Sequence, residues 1–357
     1  MRHNSFSLPV SKGAGRRRAR AGSKLTLAAG GLLAVLALAG CAGAPSSPFL
    51  PASTNAKAIH DLFLIVYAIV AVVFVLVAGM LVYTAVRFSR KRDATLPPQI
   101  EGNTRLEVAW TVIPAAALVV IFAFSLQTLF TISSPPPAAA GQAETSLQVR
   151  VIGHRWWWEF VYPSLNITTA NELYVPTGVD LALGIESVDV IHSFWVPNLG
   201  GKKDGIPGHV NPFYLRVTEV GMYLGQCAEY CGTEHADMRL RVIAEAPDQF
   251  QAWVQRQQAP MPDLSGEAAR GLDVFMKGAC VACHTLDNTA AKGMAGPNLT
   301  HFATRKVFAG AVVDNTPENL ARWLANPGSM KPGVTMPNLN LPPDQISALT
   351  AFLEALK

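Results

Sequence analysis

Charge is scarce in this chain. Only 15% of its 357 residues are Asp, Glu, Lys or Arg, and the formal net charge is +4. So small an excess argues against a nucleic-acid partner, and it is local: Arg16, Arg17, Arg18, Arg20 and Lys24 near the start, then Arg87, Arg90, Lys91 and Arg92. Cysteine is scarce too. Five residues, Cys41, Cys227, Cys231, Cys280 and Cys283, cannot pair completely, and their spacing separates them into three jobs that need no disulfide. Half of the residues are apolar, a share that places part of the chain in lipid.

The first 40 residues read as a signal peptide, with an Arg-rich stretch before the apolar run Leu25–Gly40. The run ends in Leu38-Ala39-Gly40-Cys41, which resembles a bacterial lipoprotein cleavage site and makes Cys41 the expected lipidated residue. Two uncharged runs come next, Leu62–Val86 and Val108–Ile132. At roughly 25 residues each they can cross a hydrocarbon core, so residues 41–135 are expected to form a transmembrane hairpin. The connection between the spans carries Arg87, Arg90, Lys91, Arg92 and Arg105, which the positive-inside rule puts in the cytoplasm. The chain beyond about Ser133 is then extracytoplasmic. Pro114 falls in the first turns of the second span, where its missing N–H costs least, and Glu107 stands at that span's cytoplasmic mouth. The Pro- and Ala-rich residues 136–145 read as a linker.

Residues 146–247 change character. LQVRVIG, VDLALGIES, YLRVTEV and MRLRVIAE alternate apolar and polar positions between Gly and Pro turns, predicting a Greek-key β-sandwich or barrel. Within it Cys227, Cys231, His235 and Met238 share one short segment. Zinc would leave the methionine unused, and a disulfide would leave His235 and Met238 unexplained. Thiolate, imidazole and thioether together suit copper. One cysteine more than a mononuclear blue-copper site implies thiolates bridging two coppers, hence a second histidine from elsewhere. His192 is the best placed, ending an apolar strand, with His154 and His209 as competitors. Zinc and a disulfide stay open on the residues alone.

Residues 260–357 read as an all-α domain. Cys280-Val281-Ala282-Cys283-His284 is a c-type haem attachment motif, with zinc or dithiol chemistry as its rival. Before it a helix is expected from an N-cap at Ser265, with Leu272 and Phe275 on one face. Thr316-Pro317-Glu318 opens a second helix, with Leu320, Trp323 and Leu324 inward. Pro343–Lys357 reads as a third, burying Ile346, Leu349, Phe352, Leu353 and Leu356. So small a core would gain from a covalent haem. Met294, Met330 and Met336 are available as a sixth ligand.

The segment C-A-E-Y-C-G-T-E-H-A-D-M resembles the dinuclear copper (CuA) signature of cytochrome c oxidase subunit II. DVIHSFWVPNLGGKKDGIPG, GHRWWWEF and EVAWTVIPA resemble further segments of that family, in the same order over roughly residues 60 to 245. The resemblance implies a cupredoxin-like barrel and a copper pair held by His192, Cys227, Cys231, His235 and Met238, with the backbone carbonyl of Glu229 as a further ligand. It implies that the Glu229 side chain reaches a magnesium shared with subunit I. Trp156 would be where electrons arrive from a cytochrome c, and Glu107 the carboxylate at a proton-channel mouth of subunit I. At least one tryptophan of Trp156–Trp158 is expected to serve packing alone, since strand neighbours point to opposite faces. LARWLANPGSMKPGVTMP and GPNL resemble mono-haem cytochrome c of class I, which selects Met336 as sixth ligand and has the Pro297 carbonyl orient His284.

Together these resemblances describe the subunit through which electrons enter a bacterial cytochrome c oxidase, with a fused cytochrome domain. Subunits I and III and an external donor such as cytochrome c are the implied partners. Oxygen reduction and proton pumping would occur in the complex, in the plasma membrane. Two rivals are a subunit of a copper-containing nitric oxide reductase and a non-catalytic copper-binding lipoprotein. A quinol oxidase subunit is excluded if the copper ligands are real.

Overall fold

A computed structural model describes residues 46–89, 99, 101–135 and 146–357. The signal segment, Cys41, Arg90–Arg92 and the linker 136–145 lie outside the described residues.

Ser53 starts the first helix. Its hydroxyl accepts the Ala56 N–H at 3.1 Å, and α1 then runs Thr54–Arg87. Asn103 likewise accepts the N–H groups of Arg105 and Leu106 and opens α2, Thr104–Ser133. Both helices are apolar all round and bury none of their most hydrophobic stretch against protein, as lipid-facing spans do. Each is longer than its hydropathic run. Thr54–Asp61 adds a polar turn carrying an exposed Lys57–Asp61 pair, which hydropathy does not register. That stretch and the residues before it dock on the β-domain: Asn55 Nδ2 donates to the Tyr214 carbonyl at 2.6 Å, and the Ala52 N–H donates to the Asn198 carbonyl at 2.8 Å.

The β-domain has ten strands: β1 Leu147–His154, β2 Trp157–Tyr162, β3 Ile167–Ala170, β4 Glu172–Pro176, β5 Asp180–Ser187, β6 His192–Trp195, β7 Lys203–Gly205, β8 Asn211–Arg216, β9 Gly221–Cys227 and β10 Arg239–Glu245. They form two five-stranded sheets, β3-β2-β1-β5-β8 and β4-β10-β9-β6-β7. Most neighbours are antiparallel, but β1 runs parallel to β5 and β4 to β10, so the chain crosses between the sheets as a cupredoxin barrel requires. Alternation sets the inner faces: Leu181, Leu183 and Ile185 of β5 face Leu240 and Val242 of β10 within one buried core. Trp158, Phe160 and Tyr162 of β2 fill its centre. The buried Tyr162 hydroxyl is satisfied by the Tyr174 carbonyl at 2.8 Å and the Tyr174 N–H at 2.9 Å.

A helix not expected from the sequence, α3 Pro247–Gln257, seals one end by burying Phe250, Trp253 and Val254, with Trp253 stacked on Tyr174 at 4.7 Å.

The C-terminal part is helical: α4 Gly266–Lys277, α5 Pro317–Ala325, the single turn α6 Pro327–Met330 and α7 Pro343–Ala355. A two-stranded ribbon, β11 Val307–Phe308 and β12 Val313–Asp314, precedes α5. Ser265 occupies the N-cap of α4 without a side-chain bond, whereas Thr316 caps α5 by accepting the Asn319 N–H at 3.2 Å. α4 and α7 cross at Gly271, where a Cβ would run into the Ala348 carbonyl. Phe275, Leu320, Trp323, Leu349, Phe352, Leu353 and Leu356 form the second core, with Ile346 at its margin.

Candidate functional site

The copper-type ligands are assembled by one strand pairing and one tight turn. β9 ends at Cys227, and β10 begins just after Met238. The Cys227 N–H donates to the Met238 carbonyl at 2.9 Å, closing the loop that carries Cys231 and His235. β6 lies beside β9, with Phe194 opposite Cys227, and this delivers His192. The expectation that His192 ends an apolar strand is corrected here. It opens β6, because Ser187–Ile191 turns outward and exposes Val188 and Ile191. The turn is held by Asp189, whose carboxylate accepts the N–H groups of Val190 at 2.6 Å and Arg155 at 2.7 Å.

The Cys227 and Cys231 sulfurs stand 3.8 Å apart, far beyond a disulfide bond, and both cysteines are free and buried. His192 Nδ1 is 3.9 Å from Cys227 Sγ, His235 Nδ1 is 3.6 Å from Cys231 Sγ, and Met238 Sδ is 3.9 Å from Cys231 Sγ. The Glu229 carbonyl lies 3.2 Å from Cys227 Sγ. The donor atoms of His192, Cys227 and Cys231 all fall within 4.8 Å of one another, as a metal centre needs. Two buried sulfurs, the buried His192, the half-buried His235 and the buried Met238 thioether fit soft-ligand copper and leave none of the set idle. The hydrogen bond between the two thiols pulls Cys227 down and pushes Cys231 up. A metal binding here would take both sulfurs as thiolates and release their protons. His154 is engaged elsewhere, 3.1 Å from Glu159 and stacked on Trp157, and His209 is exposed.

Sequence reasoning missed Asp189. Its Oδ1 accepts the His192 Nε2 proton at 2.8 Å, which leaves Nδ1 directed at the sulfur. A carboxylate three residues before the histidine was the available signal.

The three tryptophans divide their work. Trp158 is fully buried in the core, Trp157 stacks on His154, and Trp156 turns its Nε1–H to the Cys231 carbonyl at 3.0 Å. The Glu229 carboxylate is paired with Lys202 at 3.0 Å, and it joins no metal-holding cluster among the described residues. Glu107 lies in the first turn of α2, at the loop end of the hairpin.

In the helical domain Cys280 and Cys283 sit on the short turn after α4, half-buried and unpaired. The His284 N–H donates to the Cys280 carbonyl at 2.9 Å, closing the motif's backbone into one turn. His284 Nδ1 donates to the Pro297 carbonyl at 2.8 Å, so Nε2 is the nitrogen left to ligate. Burial pushes its pKa down and keeps the ring neutral, the form an iron ligand needs. Met336 lies half-buried against the core and accepts a hydrogen bond from Trp323 Nε1 at 3.2 Å. Met330 closes α6, and Met294 is 80% exposed. Two free thiols, an oriented neutral imidazole and a half-buried thioether fit a covalent haem c.

Three family models match along the chain: cytochrome c oxidase subunit II, transmembrane domain, over residues 49–128; cytochrome c oxidase subunit II, periplasmic domain, over 166–245; and cytochrome c over 268–357. Cytochrome c oxidase subunit 2 of Alkalihalophilus pseudofirmus is 34% identical over 326 residues, 90% of this chain and 94% of that one. The chain belongs to the cytochrome c oxidase subunit II family. Subunit 2 of Bacillus subtilis is 36% identical over 341 residues, covering 91% of this chain and 96% of its own. Quinol oxidase subunit 2 of Bacillus spizizenii is 35% identical over 240 residues, but this covers only 66% of this chain and 73% of that one. Subunit II with a fused cytochrome domain is thus an electron-transfer component of a multisubunit haem-copper oxidase, an oxidoreductase. It spans the plasma membrane twice, with its β and cytochrome domains on the extracytoplasmic side.

Proposed function

We propose that this subunit takes electrons from an external donor such as cytochrome c at the helical domain and hands them through the β-domain to subunit I, with subunit III completing the complex. Cys280 and Cys283 would bond the haem c covalently, and His284 and Met336 would ligate it. His192, Cys227, Cys231, His235, Met238 and the Glu229 carbonyl would hold the copper pair. These groups, when bound, each accept and release single electrons without changing their partners. The chain's own contribution is rigidity. β6, β9 and β10 fix the copper ligands before metal arrives, Asp189 aligns His192, and the Pro297 carbonyl aligns His284. Trp156 would mark where an electron reaches the copper loop, and Glu107 would deliver protons from the cytoplasm to subunit I. Any magnesium at Glu229 would need Lys202 displaced and ligands from subunit I. The N-terminal segment would be removed and Cys41 lipidated.

The observation that carries this reading is the convergence of His192 with Cys227, Cys231, His235 and Met238 around two buried sulfurs. Metal and haem analysis of the purified complex tests it. A mixed-valence copper signal with one haem c per chain is expected; zinc in place of copper would refute it.

A further inference from the structure

Lys331 is the one described lysine buried to 2% exposure, and it serves neither proposed centre directly. It comes just after α6, at the start of the segment that leads to Met336. Its ammonium donates to three backbone carbonyls: Trp156 at 3.0 Å, Asp237 at 2.7 Å and Ala309 at 3.1 Å. Three N–H groups are all that an ammonium has, so it is fully used. Two of the acceptors belong to the β-domain. Asp237 immediately precedes Met238, and Trp156 is the indole that donates to the Cys231 carbonyl. The third belongs to the helical domain, beside Gly310. Gly310 has a φ of +76°, and a Cβ there would lie 2.6 Å from Lys331 Nζ, 2.7 Å from the Asp237 carbonyl and 2.8 Å from that of Trp156. The Gly310 carbonyl accepts the Arg239 N–H at 2.9 Å, on the other side of Met238. The clamp thus closes on the strand end that carries a copper ligand.

The other side-chain contacts between the two domains differ in kind: Gln257 of α3 donates to Thr304 Oγ1 at 3.1 Å, both neutral groups, and the Thr335 hydroxyl reaches the Arg155 carbonyl only at 3.5 Å. The Arg241–Asp314 pair is long, at 3.6 Å, and Asp314 is 76% exposed, so it contributes little. Glu172 accepts the N–H groups of Lys306 and Val307 at 2.8 and 3.1 Å, but it stands at the start of β4 rather than on the copper loop. A buried charge is costly unless every donor is met, and an apolar side chain would fill the space more cheaply. What an ammonium adds is register, because it fixes three carbonyls from two domains to one point.

We propose that Lys331 is a positioning residue for electron transfer between the domains, holding the Met336 segment in fixed register with Trp156 and the Cys231 loop. This rests on the reading given under Proposed function. Burial brings the ammonium down to about 8, so it remains mostly charged at neutral pH, with Glu234 and Asp237 opposing the shift.

The test uses the assembled oxidase carrying Lys331→Met, which keeps the stem and removes the ammonium. Amide hydrogen exchange reads the clamp whatever the centres contain. The Arg239 amide should exchange about tenfold faster or more, the scale of a lost charged hydrogen bond. The Lys306 and Val307 amides should be unchanged. Flash photoreduction should then show slower transfer from haem to copper, with the haem potential, the copper EPR signal and the donor-to-haem rate unaltered. Unchanged Arg239 exchange, or faster exchange spread to Lys306 and Val307, would overturn the clamp. Faster Arg239 exchange with a wild-type transfer rate would overturn the positioning role. Absence of copper from the native complex would instead sink the underlying reading and leave the exchange result standing. If the variant does not assemble, the native oxidase decides. A buried clamp predicts a transfer rate unchanged between about 0.05 and 0.5 M salt, and a rate that falls with salt, as for screened surface charges, overturns it.

Discussion

Asp189→Asn probes how this fold prepares a metal site. His192 is fully buried, and its Nε2 proton goes to Asp189 Oδ1 at 2.8 Å. Burial alone would raise the Asp189 carboxyl, but the His192 hydrogen bond and the N–H groups of Val190 and Arg155 bring it down to about 2. It is therefore ionised at any working pH, and it holds the imidazole with Nδ1 toward Cys227. Asparagine keeps the shape and loses the charge. A charged hydrogen bond is worth about 1.5–3 kcal/mol and a neutral one about 0.5–1.5, so the change costs roughly 1–2 kcal/mol. Mutation of such a supporting partner typically lowers metal affinity about 10–100-fold, which is roughly 1.4–2.7 kcal/mol. The two routes agree. Copper affinity of the purified complex, measured by competition with a chelator of known strength at pH 7, should fall by that factor. A variant that holds copper as tightly as the native protein would show that Asp189 does not orient the ligand.

Trp156 and Trp158 should respond in opposite ways. Trp158→Ala empties a fully buried site and should cost about 3–5 kcal/mol in denaturant unfolding, whereas Trp156→Phe should leave stability nearly intact and slow electron delivery to copper in stopped-flow. His301 is buried, and that burial lowers its pKa despite the Nδ1 bond to the Lys357 carbonyl. The unfolded chain then takes up the proton first, so stability is lost as pH falls through about 6.5 toward the lower folded value. His301→Gln should flatten that part of the stability profile in melts recorded from pH 7.5 to about 5.

Much of the fold was legible from one-dimensional pattern. Uncharged runs fixed both spans, alternation fixed β5 and β10, and Thr316-Pro317 fixed the start of α5. The polar start of α1 was not legible, because its helix is stabilised by docking on Tyr214 rather than by hydropathy. α3 escaped for a related reason: its aromatic residues are ordered by Tyr174, which lies in a distant strand.

By itself the sequence determined whatever a few bonds of chain can tether. Cys227, Cys231, His235 and Met238 lie within one closed loop, and Cys280, Cys283 and His284 within one turn, so their spacing nearly dictates their proximity. Tertiary structure alone decided the partners that come from afar. The pairing of β6 with β9 places His192 beside the thiols, where neither His154 nor His209 reaches. The turn between β1 and β2 separates Trp156 from its two neighbours. Lys331 finds its three carbonyls only where two domains meet. Local spacing survives in any conformation of the chain, whereas these contacts exist only after long loops have been closed and their entropy offset by packing.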